Sequence, residues 1–229
     1  MSDEPIDLEA LKSAWGKMRA LHRVPSGASP KALAEAERRL GVPLPPALRA
    51  LYRATDGPSL FHGNLVVYPA GGSHEITLGR AAEVFRERGW PVPDEVVVFG
   101  DDGAGSLFGV WTGDVADSRF PSPVVEIVES EAEAALGLAA SSLVRFLLFQ
   151  TVLGALQAGG GEEMLDALGV PPSLRDMDPG DLDLDRLRQW ADPDLPREVS
   201  DPYLAGLTAE ELQSLLSGEP PERASPTVH

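Results

Sequence analysis

Apolar and polar residues follow two successive rhythms along this chain. In the first quarter the apolar positions recur every three or four residues, as on one face of a helix. Ile6, Leu8, Leu11, Trp15, Met18 and Leu21 predict an amphipathic helix over 6–22. A second helix is predicted from Ser29, a good N-cap, and Pro30, which suits the first helical position. Leu33, Ala36, Glu37 and Leu40 share one of its faces, and Gly41 closes it. Pro43 and Pro45-Pro46 then enforce an extended link, because proline fixes its own φ and restricts the residue before it. Pro46 opens a third helix that carries Leu48, Leu51 and Tyr52 and stops at Thr55-Asp56-Gly57-Pro58.

After this the rhythm shortens. Apolar runs bounded by glycine and proline predict strands at 65–68, 96–99, 106–111 and 123–128. Residues 81–88 read as a helix, and 100–105 join two of the strands as a hairpin. The most apolar stretch, 134–156, reads as a buried helix, regular from 141 to 156. Its Ser141, Ser142, Arg145 and Gln150 argue against a membrane span, where a charge near the centre is costly. Helices followed by strands and a closing helix predict an α+β fold with an antiparallel sheet, here assigned to residues 1–158. Gly159-Gly160-Gly161 is a break, and 159–229 reads as an acidic, partly helical C-terminal extension. Helices are predicted there at 162–168, 182–190 and 207–216, the last with a Thr208–Glu211 capping box. The end, 218–229, is predicted to be disordered. There is no internal repeat.

Charge narrows the choice of partner. The chain has 36 acidic and 19 basic residues, a net charge of −17. Nucleic-acid phosphates and anionic membrane surfaces both require the opposite sign. An acidic protein is instead suited to steered association with a basic protein, although the same charge also serves solubility. The imbalance is concentrated in residues 151–229, with 16 acidic and 5 basic residues against 20 and 14 in residues 1–150. There is no cysteine, hence no disulfide framework and no thiolate zinc site. Met1-Ser2-Asp3-Glu4-Pro5 is acidic and lacks an apolar signal core, so a cytoplasmic location is expected.

Residues 29–149 resemble the SUKH superfamily, which unites a fungal cell-wall-assembly regulator with many bacterial immunity proteins. The resemblance lies in a helix with Glu37 before Leu40-Gly41, then Leu44-Pro45, then a helix with Leu48, Leu51 and Tyr52, then Asp56-Gly57. It continues through Phe99-Gly100, Gly103, Gly105 and Phe108, the strand at Pro123-Val124 and the closing helix from Ser142 to Leu148. It implies a small mixed sheet, mostly antiparallel, with helices packed on it. In bacterial members it implies a protein that binds a toxin domain, often a nuclease, and blocks it. Nuclease toxins are commonly basic because they must hold phosphates, and an acidic chain fits such a cleft.

No local pattern carries catalysis. Asp101-Asp102-Gly103-Ala104-Gly105 has the wrong sign for a phosphate loop, lacks a following Gly-Lys-Ser/Thr, and offers too few oxygens for calcium. It reads as a glycine-enabled turn whose carboxylates can face a partner. Asp181, Asp183, Asp185 and Asp192 match four positions of an EF-hand loop, but the sixth is Arg186, where the sharp turn needs glycine. They read as the charged first turn of a helix. His22, His62, His74 and His229 form no metal-ligand spacing. Trp111 reads as core, and Trp90, within Gly89-Trp90-Pro91, as the better exposed anchor. Glu37, the one charge on an apolar helical face, reads as a bond to nearby backbone. The expected function is a non-enzymatic protein-binding module without metal or cofactor, most simply an immunity protein. Asp56, Trp90, Asp101 and Asp102 are its expected contacts with a basic partner. The alternatives are a scaffold or regulatory adaptor on the same fold, as in cell-wall or stress regulation, and a calcium-dependent or enzymatic module at Asp181–Asp192.

Overall fold

The computed structural model describes residues 7–113, 120, 122–129, 136–196 and 206–217. The predicted disorder at 218–229 lies outside the described residues. Helix α1 spans Leu8–Trp15, and the Asp7 side chain caps it by accepting from the Ala10 N–H at 2.8 Å. At Gly16 the chain passes into a 3-10 turn, Gly16–Leu21, broken at Met18 (φ −121°, ψ 45°). The single helix predicted over 6–22 is therefore two pieces, because the apolar spacing continues past a glycine that weakens the helix backbone. Helices α2 (Pro30–Leu40) and α3 (Pro46–Ala54) follow their punctuation. Ser29 accepts from the Ala32 N–H, and Gly41 takes the left-handed conformation with φ 72°. Glu37 Oε1 accepts from the Leu44 N–H at 2.8 Å and from Arg49, tying the proline link and α3 back to α2.

The strands are β1 (Ser59–Leu60), β2 (Leu65–Val67), β3 (Val96–Asp101), β4 (Ser106–Trp111), β5 (Val124–Val128) and β6 (Leu136–Ala140). They form one six-stranded sheet in sequence order, and helix α4 (Ala81–Glu87) lies between β2 and β3 in the chain. Every pairing of these strands is antiparallel, and one isolated parallel bridge joins Ser122 to Ser142. Strand β6 corrects the reading of 134–156 as wholly helical: Leu136 pairs with Ile127 and Leu138 with Val125. Helix α5 (Leu143–Gln157) begins only after Ser142 caps it. A continuous apolar run does not reveal by its period where strand gives way to helix.

The sheet is buried on both faces, which is why its strands read as near-continuous apolar runs. One face, with Val97, Phe99, Phe108 and Val110, packs with Trp15, Leu48, Tyr52, Phe146 and Val152 from α1, α3 and α5. The other, with Val98, Leu107 and Ile127, packs with Tyr68, Phe85, Phe120 and Leu212. Helices α6 (Glu162–Ala167), α7 (Pro172–Arg175) and α8 (Leu184–Ala191) contribute Met164, Leu165, Leu174 and Leu187 to the first core. Leu195, Leu207 and helix α9 (Ala209–Leu216) contribute to the second, and Thr208 and Glu211 make the predicted capping box. The residues after the glycine run thus complete both cores. Among the described residues the outer sides of β1 and β6 each carry one antiparallel bridge, Arg23–Ser59 and Leu136–Leu207. No described helix is long and apolar enough to cross a membrane.

Candidate partner-binding site

Tyr68, just past β2, connects the residues that the sequence singles out. Its N–H donates to the Phe99 carbonyl at 2.8 Å, which continues the sheet by one bond beyond β2. Its own carbonyl accepts from the buried Tyr52 hydroxyl at 2.6 Å. Its ring stacks on Phe85 of α4 at 6.2 Å, and Phe85 meets Trp90 edge-on at 5.4 Å. The Arg88 guanidinium lies 5.4 Å from the Phe85 ring centre and pairs with Glu75 at 2.8 Å. The Tyr68 hydroxyl is buried with no hydrogen-bond partner of good geometry among the described residues. Burial, and then the neighbouring Asp101 carboxylate, push its pKa upward. Burial, and then the charge of Asp56, do the same for Tyr52.

All four expected contact residues lie around this centre, and three of them also have local structural work. The Asp56 N–H donates to the Ser26 carbonyl at 3.0 Å, and its Oδ1 accepts from the Ala70 N–H at 2.7 Å. It therefore pins the segment that follows Tyr68. In the β3–β4 turn, Asp101 Oδ1 accepts from the Gly103 N–H at 2.8 Å. Asp102 Oδ1 accepts from the N–H groups of Ala104 and Ser106, at 2.8 and 3.0 Å. The turn needs φ of 66° at Gly103 and 118° at Gly105, which glycine adopts without steric cost. The second oxygen of Asp102 makes no such bond among the described residues. Trp90 is half-buried, packed on the second core with one side toward solvent, and Trp111 is fully core. Half-exposed Trp90, Arg88, two carboxylates and a firm backbone make a composition common at the energetic centres of interfaces.

The remaining singled-out residues lie elsewhere. Asp183 caps α8 by accepting from the Arg186 N–H at 2.9 Å. Asp192 turns inward to Ser141, so the aspartates of that stretch do not converge. His22 and His62 are electrostatic neighbours, whereas His74 lines a separate cleft with Glu35, Arg39, Thr77 and Arg80. No group of three or more His, Asp or Glu among the described residues is placed to hold a metal ion. Sequence reasoning missed Tyr68, Phe85 and Arg88. Tyr68 closes a predicted strand and gives no further signal, and the other two face it only because α4 folds onto the sheet.

Residues 27–148 match the SMI1 / KNR4 family (SUKH-1). The chain belongs to this family. The SUKH-1 segment agrees with the resemblance drawn over 29–149. It runs from the approach to α2 into α5 and contains the whole sheet, Tyr68 and all four candidate contacts. At family level this makes the protein a protein-interaction or immunity-type module. Helix α1, the 3-10 turn and everything after Leu148 lie outside the matched segment. No curated protein matches the chain.

Proposed function

We infer that this SUKH-1 protein is a non-enzymatic immunity protein that binds a basic toxin domain and blocks it. The observation that carries the reading is the Asp101–Asp102 turn beside Tyr68, Phe85 and Trp90, on a chain of net charge −17. Opposed charge accelerates encounter, and a part-desolvated tryptophan beside rigid carboxylates slows release. A nuclease toxin, basic because it must hold phosphates, is the partner class that this surface fits best. A cytoplasmic site of action follows, where such a toxin reaches nucleic acid.

The test asks whether a neighbouring gene encodes a toxin with a basic C-terminal domain and, with that domain in hand, measures capture and association kinetics at low and high salt; absence of such a gene counts against the reading. Micromolar or tighter binding is expected, roughly −8 kcal/mol or better. The Asp101→Lys/Asp102→Lys double variant should associate at least about tenfold more slowly at low salt, with the difference shrinking as salt screens it. Failure of the wild-type chain to bind that domain at micromolar concentration would count against the immunity reading and favour a scaffold or regulatory adaptor on this fold.

A further inference from the structure

We propose that the cleft between α1, the 3-10 turn and Val24 binds a small ligand carrying an oxyanion, a phosphate ester or a carboxylic acid. The cleft has a volume of about 350 Å³ and is lined by Lys12, Trp15, Gly16, Arg19, His22 and Val24. This lies at the lower end of the range for small-molecule sites. Its lining includes three basic side chains, Lys12, Arg19 and His22, and no carboxylate, on a chain with nearly twice as many acidic as basic residues.

Each of the three basic side chains keeps at least one nitrogen without a hydrogen-bond partner among the described residues. Lys12 is half-buried and forms no ion pair among the described residues, whereas Lys17 on the next turn pairs with Glu163. Arg19 donates from Nε to the Gly16 carbonyl at 3.3 Å, and its terminal nitrogens have no hydrogen bond among the described residues. His22 fixes its own tautomer. Its Nδ1 accepts from the Phe61 N–H at 3.2 Å, so in the neutral ring the proton is on Nε2. That Nε2–H is buried and has no acceptor among the described residues. Buried donors are nearly always paired, and an exception calls for a missing partner such as water or a ligand. Nε2 is closed to the empty cleft, so the His22 ring has to shift slightly toward it for an oxyanion held between Lys12 and Arg19 to supply that acceptor.

The surroundings keep this constellation in place. The Trp15 indole N–H donates to Thr151 Oγ1 at 2.9 Å and holds the end of α1 on α5. The His22 ring stands edge-on to Phe61 at 4.4 Å. Phe61 and His62 both have positive φ, 49° and 56°, so the wall behind His22 is a turn held in an uncommon conformation by its packing. The site precedes the SUKH-1 segment except through Phe61, and it does not depend on the immunity reading.

The test uses the full chain titrated separately with inorganic phosphate and with succinate, against sodium chloride of matched ionic strength. Calorimetry reads affinity, and the His22 ring nitrogens read the site by long-range proton–nitrogen spectra. The expected dissociation constant is about millimolar or tighter for at least one probe, with a ligand-dependent shift of His22 Nε2. Lys12→Gln and Arg19→Gln should each weaken binding by about tenfold, the loss of one charge-assisted contact. Both residues lie at the surface, and an unchanged His22–Phe61 signal will show that the variants keep the fold. Phosphate binding without succinate assigns phosphate esters, the reverse assigns carboxylic acids, and either supports the site. No response of His22 beyond the chloride control, or unchanged affinity in both variants, overturns it.

Discussion

Asp192→Ala tests how the C-terminal helices are held to the sheet. Asp192 is 2% exposed, and its carboxylate accepts from the Ser141 N–H at 2.6 Å and the Ser141 hydroxyl at 2.7 Å. Arg145, on the first turn of α5, donates to the Ala191 carbonyl next to it at 3.1 Å. Together these bonds fasten the end of α8 to the junction of β6 and α5. A hydrogen bond to a charged group contributes about 1.5–3 kcal/mol, and a buried donor left unpaired costs about 1–3 kcal/mol. Against this, the variant no longer has to bury a carboxylate, so a net loss of about 2–4 kcal/mol is expected. At about 2–4 °C per kcal/mol for a chain of this size, that lowers Tm by roughly 5–15 °C. The assay is urea denaturation followed by tryptophan fluorescence, with Ser141→Ala and the double variant completing a cycle. The coupling between the two sites should be about 1–2 kcal/mol. A loss below about 0.5 kcal/mol, or additive single variants, would refute the clamp and leave α8 held by its apolar contacts alone.

Three further predictions concern single contacts. Gly154→Ala places a Cβ 2.3 Å from the Phe61 ring, so overpacking by about 1–3 kcal/mol is expected in the denaturation midpoint. Glu37→Ala removes the acceptor for the Leu44 N–H and for Arg49 and should cost about 1–2 kcal/mol, whereas Glu37→Gln, which keeps an acceptor, should cost less. Burial, and to a smaller degree the charge of His62, lower the His22 pKa below its ordinary 6.5, with the backbone at Leu21 opposing them. The unfolded chain then takes up that proton first, so stability is fully present above pH 6.5 and falls as pH drops toward the folded value. Denaturation midpoints between pH 7.5 and 5.5 should show the fall, and His22→Gln should flatten it.

Local signals made most of the fold legible, and tertiary pairing hid the rest. Ser29, Gly41, Thr208 and Glu211 each act through backbone bonds to residues three or four positions away, and Pro30 through its own fixed φ, all of which a sequence displays directly. Strand β6 is different. Leu136, Gly137, Leu138, Ala139 and Ala140 have no strong strand preference, and only pairing with β5 makes them a strand. The same division holds at the site. The charge of Asp56, Asp101 and Asp102 was visible, but their bonds to Ala70, Gly103 and Ala104 were not. Asp192 stood out as a calcium ligand by position, whereas its role depends on Ser141, far away in sequence. Charge is a property of a residue, and its use is a property of the neighbours that folding supplies.

The bridge between Leu136 and Leu207 has a consequence for biosynthesis. On the ribosome the sheet can assemble strand by strand, since each strand pairs with its neighbour in sequence. Its first border is closed early, because Arg23 precedes Ser59. Among the described residues its last border is bridged only when residue 207 has been made, and at about 5–20 residues per second that leaves several seconds of exposure. During that interval β6 presents unpaired backbone to other nascent chains. A message truncated before residue 207 would yield a sheet open to strand exchange, so premature termination near the 3′ end should produce aggregates rather than a shorter soluble protein.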